Sequence, residues 1–314
     1  MKRHYAIYTA LLFVVLAGSA LGQNGHSGSA STYFDATQLL KDIQTLSADD
    51  MEGRSADRPA MAKAREYVEK RLKESGVEQI GDSFKQEFEF KLRGSGQTLK
   101  GVNYYGQIKG KKSPDKFIVI TAHYDHDGLK NGEIYNGADD NASGTAALFA
   151  VASYFKKHQP DHSLIFAAFD AEEKGLVGSR HFVANLPVPK ESIVLNVNMD
   201  MIARNDKNEL YASGTYSYPQ FRQVLEKVQK AAKVKLILGH DDPKTGHDDW
   251  TFQSDQGAFH AAKIPFIYFG VEDHEDYHKP TDDYGRIHPA FYVKSVETII
   301  EALREVDRTG ANSK

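Results

Sequence analysis

Apolar residues follow two different patterns along this chain. Some segments have apolar residues three and four positions apart, as helices do, and others have the patterns of strands. The segments with helical spacing are residues 35–46, 60–75, 145–157, 218–232 and 289–306. Residues 84–107 alternate polar and apolar positions like edge strands, whereas later strands are continuous apolar runs. This order predicts one α/β domain with three α/β/α layers, in which helices flank a mixed, mostly parallel central sheet.

Four of the continuous apolar runs lead into side chains that can bind a metal. FIVITA precedes His123, LIFAAFDA precedes Glu172 and Glu173, SIVLNVNM precedes Asp200, and IPFIYFG lies shortly before His278. In an open α/β sheet, ligands bind outside the carboxyl ends of the strands, so residues distant in sequence can converge there. The pattern therefore predicts a metal site at this edge of the sheet.

The first 22 residues have the pattern of a cleavable secretory signal. Basic residues precede an apolar run at residues 10–17, and Ala20 and Gly22 supply small residues before the cleavage position. The run is too short for a membrane anchor, which needs about 20 apolar residues. We therefore expect export, to the periplasm or the medium, with cleavage near Gly22 and a flexible segment over residues 23–34.

Composition narrows the classes of function. The chain has no cysteine, which excludes disulfides, thiolate zinc ligands and cysteine nucleophiles. Its formal net charge of −4 shows no basic excess, so neither nucleic acid nor an anionic membrane is an expected partner.

Two loops add carboxylates to the predicted site. In HYDH, Asp125 follows His123 by two residues and can accept the second ring N–H, which fixes the tautomer. GADDNASG places Asp139, Asp140 and Asn141 in a glycine-bounded loop, where a carboxylate could bridge two cations. The alternative is that this loop only caps the helix that begins near residue 145.

Adjacent carboxylates at a strand end are the most informative pair. Glu172 and Glu173 repel each other in a buried position unless a cation or a proton neutralises one of them. One of them could bind a metal while the other remains free as a base. Alternatively, the pair forms the acidic first turn of a helix.

The segment HEDYH, residues 274–278, matches the spelling of helical zinc protease motifs. That motif needs a helix with both histidines on one face. Here the flanks offer no apolar face, and Pro280 disfavours a continued helix. We expect His278 to bind metal from a loop, without help from His274 or Glu275.

Together these motifs resemble the exported di-zinc exopeptidases related to bacterial leucyl aminopeptidase and to glutamate carboxypeptidase. HYDH, GADDNASG, FDAEEKGLVGS, NMDM, SDQGAF and YHKPTDD occur in the family's order, and the likeness begins near residue 46. It implies two Zn²⁺ ions per chain, a peptide substrate and a zinc peptidase domain over residues 35–309. The metal ligands that it implies are His123, Asp140, Glu173, Asp200 and His278.

The resemblance also implies a role for each residue. Each zinc ion has its own pair of ligands, His123 with Asp200 and Glu173 with His278. Asp140 bridges the ions, Glu172 is the general base for a hydroxide between them, and Asp125 orients the His123 ring. Two zinc ions, three carboxylates and one hydroxide sum to a neutral core, which a partly dry cleft tolerates.

Some positions have no role or an open one. Asp139 has none, Asp255 in SDQ is a candidate lining residue, and no oxyanion donor is evident beyond the candidates Tyr211 and Tyr216. The candidates for an apolar pocket are Met201, Trp250, Phe252, Phe259 and Tyr277.

Three functions stay open at this point. The first is a monomeric, secreted or periplasmic zinc exopeptidase, preferably an aminopeptidase, although the sequence leaves amino- against carboxyl-terminal specificity undecided. The second is a single-zinc glutaminyl cyclase, a relative that keeps much of the ligand set. The third is a metal-free binding domain on the same scaffold.

Overall fold

The structure is a computed structural model, and it describes Met1 and residues 30–309. The predicted signal peptide, apart from Met1, lies outside the described residues. The strands are β1 (Lys85–Lys91), β2 (Thr98–Ile108), β3 (Ser113–His123), β4 (Gly128–Lys130), β5 (Glu133–Tyr135), β6 (His162–Phe169), β7 (Ile193–Met199), β8 (Glu209–Ser213), β9 (Lys235–Leu238) and β10 (Phe266–Gly270). The helices are α1 (Ala36–Leu46), α2 (Met61–Glu74), α3 (Gly144–Lys157), α4 (Val177–Ala184), α5 (Arg222–Ala231), α6 (Gln256–Ala261) and α7 (Pro289–Thr309).

Eight strands form one mixed sheet in the order β1-β2-β6-β3-β7-β10-β8-β9. The centre of the sheet consists of β6, β3, β7 and β10, and each adjacent pair among these four strands is parallel. These four strands are the continuous apolar runs that the sequence associates with metal ligands. The predicted fold class is confirmed, and the register brings the carboxyl ends of β3 and β6 level, because His123 pairs with Phe169.

Hydrophobic side chains on the two faces of the sheet enter two separate cores. Along β3, Ile118 and Ile120 face the larger core, which α1, α2, α3, α5 and α7 complete. The intervening Phe117 and Val119 face a smaller core on the opposite side, with side chains from α4 and α6. Because successive strand residues point to opposite faces, a strand that is apolar at every position must be covered on both sides. The three-layer arrangement follows from this requirement.

Some sequence expectations need correction. β2 is not an edge strand, because it pairs with β1 on one side and β6 on the other. The end of the predicted flexible segment packs against the domain: Ser31 donates a hydrogen bond to Glu297, Tyr33 donates one to Glu301, and Phe34 is buried.

Within residues 271–283 there is no helix, as predicted for HEDYH. No helix in the described part of the chain is both long enough and apolar enough to span a membrane.

Candidate metal centre

The Asp140 carboxylate lies between two histidines that come from different parts of the chain. Its Oδ1 lies 3.4 Å from Nε2 of His123, at the end of β3. Its Oδ2 lies 3.1 Å from Nε2 of His278, in the loop after β10. A carboxylate with one oxygen facing each histidine has the geometry of a bridge between two cation positions.

Two groups of ligand atoms lie on either side of Asp140. On the first side, Asp200 Oδ1 lies 3.3 Å from Nε2 of His123. A Glu172 oxygen belongs to the same group, in which all ligand atoms lie within 4.8 Å of one another. On the second side, Glu173 Oε1 lies 3.6 Å from Nε2 of His278. The structure thus brings together all five predicted ligands and the predicted base.

These separations fit zinc. Ligands about 2.0–2.1 Å from a tetrahedral ion are roughly 3.3 Å from each other, close to the separations around Asp140. Several buried atoms also have no hydrogen-bond partner among the described residues. Those that belong to predicted ligands are His123 Nε2, Glu173 Oε1 and Asp200 Oδ1. Leaving such atoms unpaired is costly, and a nitrogen and oxygen donor set is one that zinc uses, so these residues fit the predicted ions.

His126 is a site residue that sequence reasoning missed. Its ring is fully buried, and Nδ1 lies 2.8 Å from Glu173 Oε1 and 3.8 Å from Asp140 Oδ2. Burial lowers the pKa of His126, but the Asp140 and Glu173 carboxylates outweigh burial and raise it above its ordinary value. The second histidine of HYDH, three residues after His123, was the available signal.

Asp125 ties the first histidine to the adjacent glutamates. One of its oxygens accepts the backbone N–H of Glu172 at 3.0 Å and the other that of Glu173 at 3.3 Å. The same carboxylate lies 3.5 Å from Nδ1 of His123. One buried side chain therefore fixes the loop that carries both glutamates relative to the His123 ring.

Burial and neighbouring charges shift the pKa values of the central groups. Burial lowers the pKa of His123, but the carboxylates of Asp200 and Glu172 hold it well above its usual range. Burial raises the pKa of Glu172 well above its usual range although His123 opposes the shift. Burial also favours protonation of Asp140, yet His126 and His123 hold its pKa well below normal. Attraction between the histidines and the carboxylates offsets the cost of burying so many charged groups in one site.

Asp139 positions the loop that carries the central carboxylate. It accepts the backbone N–H of Ala203 at 2.6 Å, and its other oxygen lies 3.1 Å from Nε2 of His274. The Asp282 carboxylate accepts the backbone N–H groups of Asp139 and Asp140, each at 3.0 Å. Asp139 and His274 therefore have a structural role. The alternative, that this loop caps the following helix, holds for one residue: the Asn141 side chain accepts the N–H of Gly144, the first residue of α3.

A fully buried arginine, Arg54, fixes the same loops from behind. Its guanidinium donates hydrogen bonds to four backbone carbonyls, at distances of 2.6–2.9 Å. The acceptors are Leu46, Tyr124, Asn136 and Gly137. Burial lowers the pKa of Arg54 to about 10, so the group stays charged at neutral pH. Tyr124 belongs to HYDH and Gly137 precedes Asp139, so one side chain joins both ligand loops.

A cleft of about 390 Å³ opens over the predicted metal ligands. Its apolar wall is formed by Leu176, Met201, Trp250, Phe252, Tyr268, Val271 and Tyr277. Phe259 is not part of it, because its ring is buried in the smaller core. The predicted pocket is therefore present without Phe259 and with Leu176, Tyr268 and Val271 in addition.

The remaining candidates lie off the cleft. Asp255 does not line it, and the side chain is completely buried, which raises its pKa to about 7 although His123 opposes the shift. Tyr211 donates its hydroxyl hydrogen bond to Glu209, and Tyr216 is 48% exposed; neither lines the cleft. Neither oxyanion candidate named from the sequence therefore contributes to the lining of the cleft.

Comparison with known proteins identifies the family. Residues 103–303 match the model of peptidase family M28. The chain belongs to peptidase family M28. The predicted membership of a zinc metallopeptidase family is thereby confirmed.

The chain is also similar to individual proteins, over different shares of its length. Aminopeptidase YwaD of Bacillus subtilis is 31% identical over 204 residues, which are 61% of this chain and 41% of YwaD. The matched region is thus less than half the length of that relative. The structure of BSAP, a zinc aminopeptidase from Bacillus subtilis, superimposes with a TM-score of 0.70 at 19% identity, covering 88% of this chain and 96% of that one. Fimbriiglobus ruber glutaminyl cyclase gives a TM-score of 0.68 at 19% identity, covering 88% and 97%. These superpositions show a shared fold.

Proposed function

We propose that this M28 chain is a di-zinc exopeptidase that removes residues from the amino terminus of peptides. The observation that supports it most is the position of Asp140, whose two oxygens face His123 and His278 at 3.4 and 3.1 Å. A site for one ion would not need a carboxylate shared between two groups of ligands. In our proposal, His123 and Asp200 hold one ion, and Glu173 and His278 hold the other.

The proposed chemistry is hydrolysis of a peptide bond. Paired zinc ions lower the pKa of a shared water and polarise a carbonyl. Glu172 lies in the same group as His123 and Asp200. In our proposal Asp140, with Oδ1 3.4 Å from Nε2 of His123, completes the ligands of that ion and leaves Glu172 free as the base. It takes the proton of the attacking water and returns it to the leaving amine. The hydrogen bonds from the backbone of Glu172 and Glu173 to Asp125 hold the base in place.

Tyr277 is the proposed donor to the developing oxyanion. Two tyrosines line the cleft, and the Tyr268 hydroxyl already donates to the carbonyl of Asp200 at 3.1 Å. The Tyr277 hydroxyl forms no hydrogen bond with any described residue, and its ring lies 4.0 Å from that of His278. A free hydroxyl beside a metal ligand can stabilise charge on the scissile carbonyl.

Asp273 supports amino-terminal specificity. Its carboxylate lines the cleft and has no hydrogen bond or ion pair within residues 30–309. Partial burial raises its pKa, although His278 and His274 oppose the shift. Asp273 and His278 lie in the same loop after β10. A free carboxylate at that point can bind the ammonium group of a peptide's first residue. Aminopeptidase YwaD agrees with this direction, whereas the glutamate carboxypeptidase 2 homologs of Caenorhabditis carry the name of the opposite one, so Asp273 is the main support for the direction.

Glutaminyl cyclase chemistry and metal-free binding are the competing functions. The likeness to a cyclase structure extends to the fold and does not distinguish the reactions. Two groups of ligands around one carboxylate favour two ions over one. A binding domain would have no need for buried, unpaired metal-ligating atoms such as His123 Nε2 and Asp200 Oδ1.

We also propose that the enzyme works outside the cytoplasm. The support is the sequence pattern of the first 22 residues. Amino-terminal sequencing of protein recovered from the extracytoplasmic fraction should find Gln23 or a near neighbour as the first residue. Recovery of the uncleaved chain in the cytoplasm would contradict export.

The function is tested with a mixture of free and N-acetylated peptides, whose products are read by mass spectrometry. The zinc-loaded protein should shorten only the free peptides, one residue at a time from the amino terminus. Glu172→Gln should retain its metal and lose on the order of 10²–10⁴-fold in rate, because only the base is removed. Trimming from the carboxyl end would overturn the specificity, and loss of ammonia from amino-terminal Gln would select the cyclase. Unchanged peptides would favour a binding domain.

A further inference from the structure

Two exposed arginines on the wall of the cleft have no protein partner among the described residues. Each other arginine within residues 30–309 donates a hydrogen bond to a carbonyl, a hydroxyl or a carboxylate. Arg93 and Arg180 make no such bond and no ion pair with the described residues. Both line the cleft that contains Asp140 and Glu172. A guanidinium that is left free beside a site is a strong and geometrically selective donor to a carboxylate.

Separate elements carry the two side chains to the same place. Arg93 lies in the turn between β1 and β2, and Arg180 lies in α4. The Arg93 guanidinium covers Gly175, with a nitrogen 3.8 Å from the position that a Cβ on Gly175 would take. Gly175 has a φ of +102° and follows Glu172 by three residues. The Arg93 charge therefore lies beside the loop that supplies the proposed base, and Arg180 lies in the helix that follows this loop.

Asp273, which has no ion pair among the described residues, lines the cleft at the end of a strand distant from the arginines in the sheet. In the sheet order, the turn with Arg93 and the loop with Gly175 follow β1 and β6, whereas Asp273 follows β10. Strands β3 and β7, which supply His123 and precede Asp200, lie between them. A short free peptide has the matching charges, an ammonium at one end and a carboxylate at the other. The cleft volume, about 390 Å³, is near the lower end of the usual range for ligand sites, roughly 300–1,000 Å³, which suits a short ligand.

We propose that Arg93 and Arg180 bind a substrate carboxylate on the leaving-group side of the scissile bond. This inference rests on the proposed aminopeptidase function, which puts the ammonium group at Asp273. The carboxylate has two possible sources, the free carboxyl terminus of a dipeptide or an acidic side chain in the second residue. Either source makes the enzyme select anionic leaving groups, and thus very short or acidic peptides.

The test compares three substrates with the same first residue. The first is a dipeptide with uncharged side chains and a free carboxyl terminus, the second is its carboxyl-terminal amide (the neutral amide), and the third is a dipeptide amide with Glu as the second residue (the Glu amide). The neutral amide should have a KM about 10- to 100-fold higher than the better of the other two, since charged hydrogen bonds are lost. Preference for the free dipeptide identifies the terminal carboxylate, and preference for the Glu amide identifies the side chain. In the double variant Arg93→Gln, Arg180→Gln, the three KM values should converge. The matched control is Lys174→Gln, which removes a charge beside Gly175 that does not line the cleft.

A binding measurement separates this inference from the proposed function. Calorimetry on zinc-loaded Glu172→Gln measures affinity for the same three compounds without turnover. The inference requires weaker binding of the neutral amide, and loss of that difference when the two arginines are also replaced. Equal affinities for all three compounds, or a difference that persists without the arginines, would overturn it. If the arginines prove to have no effect, hydrolysis of the neutral amide by the unaltered enzyme would still support the aminopeptidase. If the arginines select the anionic compounds but the unaltered enzyme hydrolyses none of them, only the proposed function is contradicted.

Discussion

The Nδ1 atom of His126 lies 2.8 Å from Oε1 of Glu173, and both side chains are inaccessible or nearly so. The two atoms are at hydrogen-bond distance without the alignment of a hydrogen bond. His126 is therefore positioned to orient Glu173 towards the second ion in our proposal.

Replacement of His126 should weaken the second zinc ion selectively. Loss of a side chain that orients a metal ligand typically costs about 10–100-fold in affinity. His126→Gln should show that decrease at one of two sites in calorimetric zinc titrations, with the other site unchanged. His288→Gln removes a histidine outside the cleft and serves as the control. Equal zinc affinities in His126→Gln and the unaltered protein would contradict the role given to His126.

Tyr277→Phe should reduce catalysis without affecting stability. The hydroxyl makes no hydrogen bond with described residues, so its loss leaves no buried group unsatisfied. Removal of an oxyanion donor costs about 10²–10³-fold in kcat, and we expect that decrease with little change in KM or melting temperature. Tyr216→Phe, on an exposed side chain away from the cleft, should retain full activity. A fully active Tyr277→Phe variant would remove Tyr277 from the mechanism.

His274 and His278 belong to the same HEDYH segment and should behave differently. His274 lies against Asp139, so His274→Ala should lower stability by about 1–3 kcal/mol by leaving an acceptor unpaired. It should still bind two zinc ions per chain. His278→Ala should keep only one, because His278 faces Asp140 and Glu173. Zinc analysis of both variants decides between this arrangement and a helical zinc protease motif, for which both variants would lose the metal.

Arg54→Met should destabilise the protein strongly. The change leaves four buried carbonyls without their donor, at about 1–3 kcal/mol for each group that finds no other partner. We expect a loss of more than about 3 kcal/mol in urea unfolding, and a smaller loss for Arg54→Lys, which keeps a donor. Arg308→Met on the exposed face of α7 should lose at most about 1 kcal/mol. A stability of Arg54→Met equal to that of the Arg308 variant would show that Arg54 does not hold the loops.

The sequence was sufficient to predict the central sheet and the convergence of the proposed ligands at one edge of it. Buried parallel strands must be apolar throughout, and the residues just beyond them must meet at one edge, so the positions of His123 and Asp200 followed from local pattern. The short strands β8 and β9 were missed, because Glu209–Ser213 and Lys235–Leu238 have only five and four residues. Segments of that length carry too little periodicity to distinguish them from loops.

Roles that depend on packing could not be predicted. Arg54 is a charged residue in a polar segment, and nothing local indicates that four carbonyls surround it. Asp139 has neighbours from 64 and 135 residues away, at Ala203 and His274. Tyr277 was a candidate only for apolar contact, since a free hydroxyl is recognised only once every other partner is located.

The central claim is that Asp140 bridges two zinc ions. Diffraction data collected at the zinc absorption edge from crystals of the zinc-loaded protein test it most directly. We predict two anomalous peaks per chain about 3.5–4 Å apart, one beside His123 and Asp200 and the other beside Glu173 and His278, with one oxygen of Asp140 towards each. A single peak, or two peaks that do not share Asp140, would contradict the account.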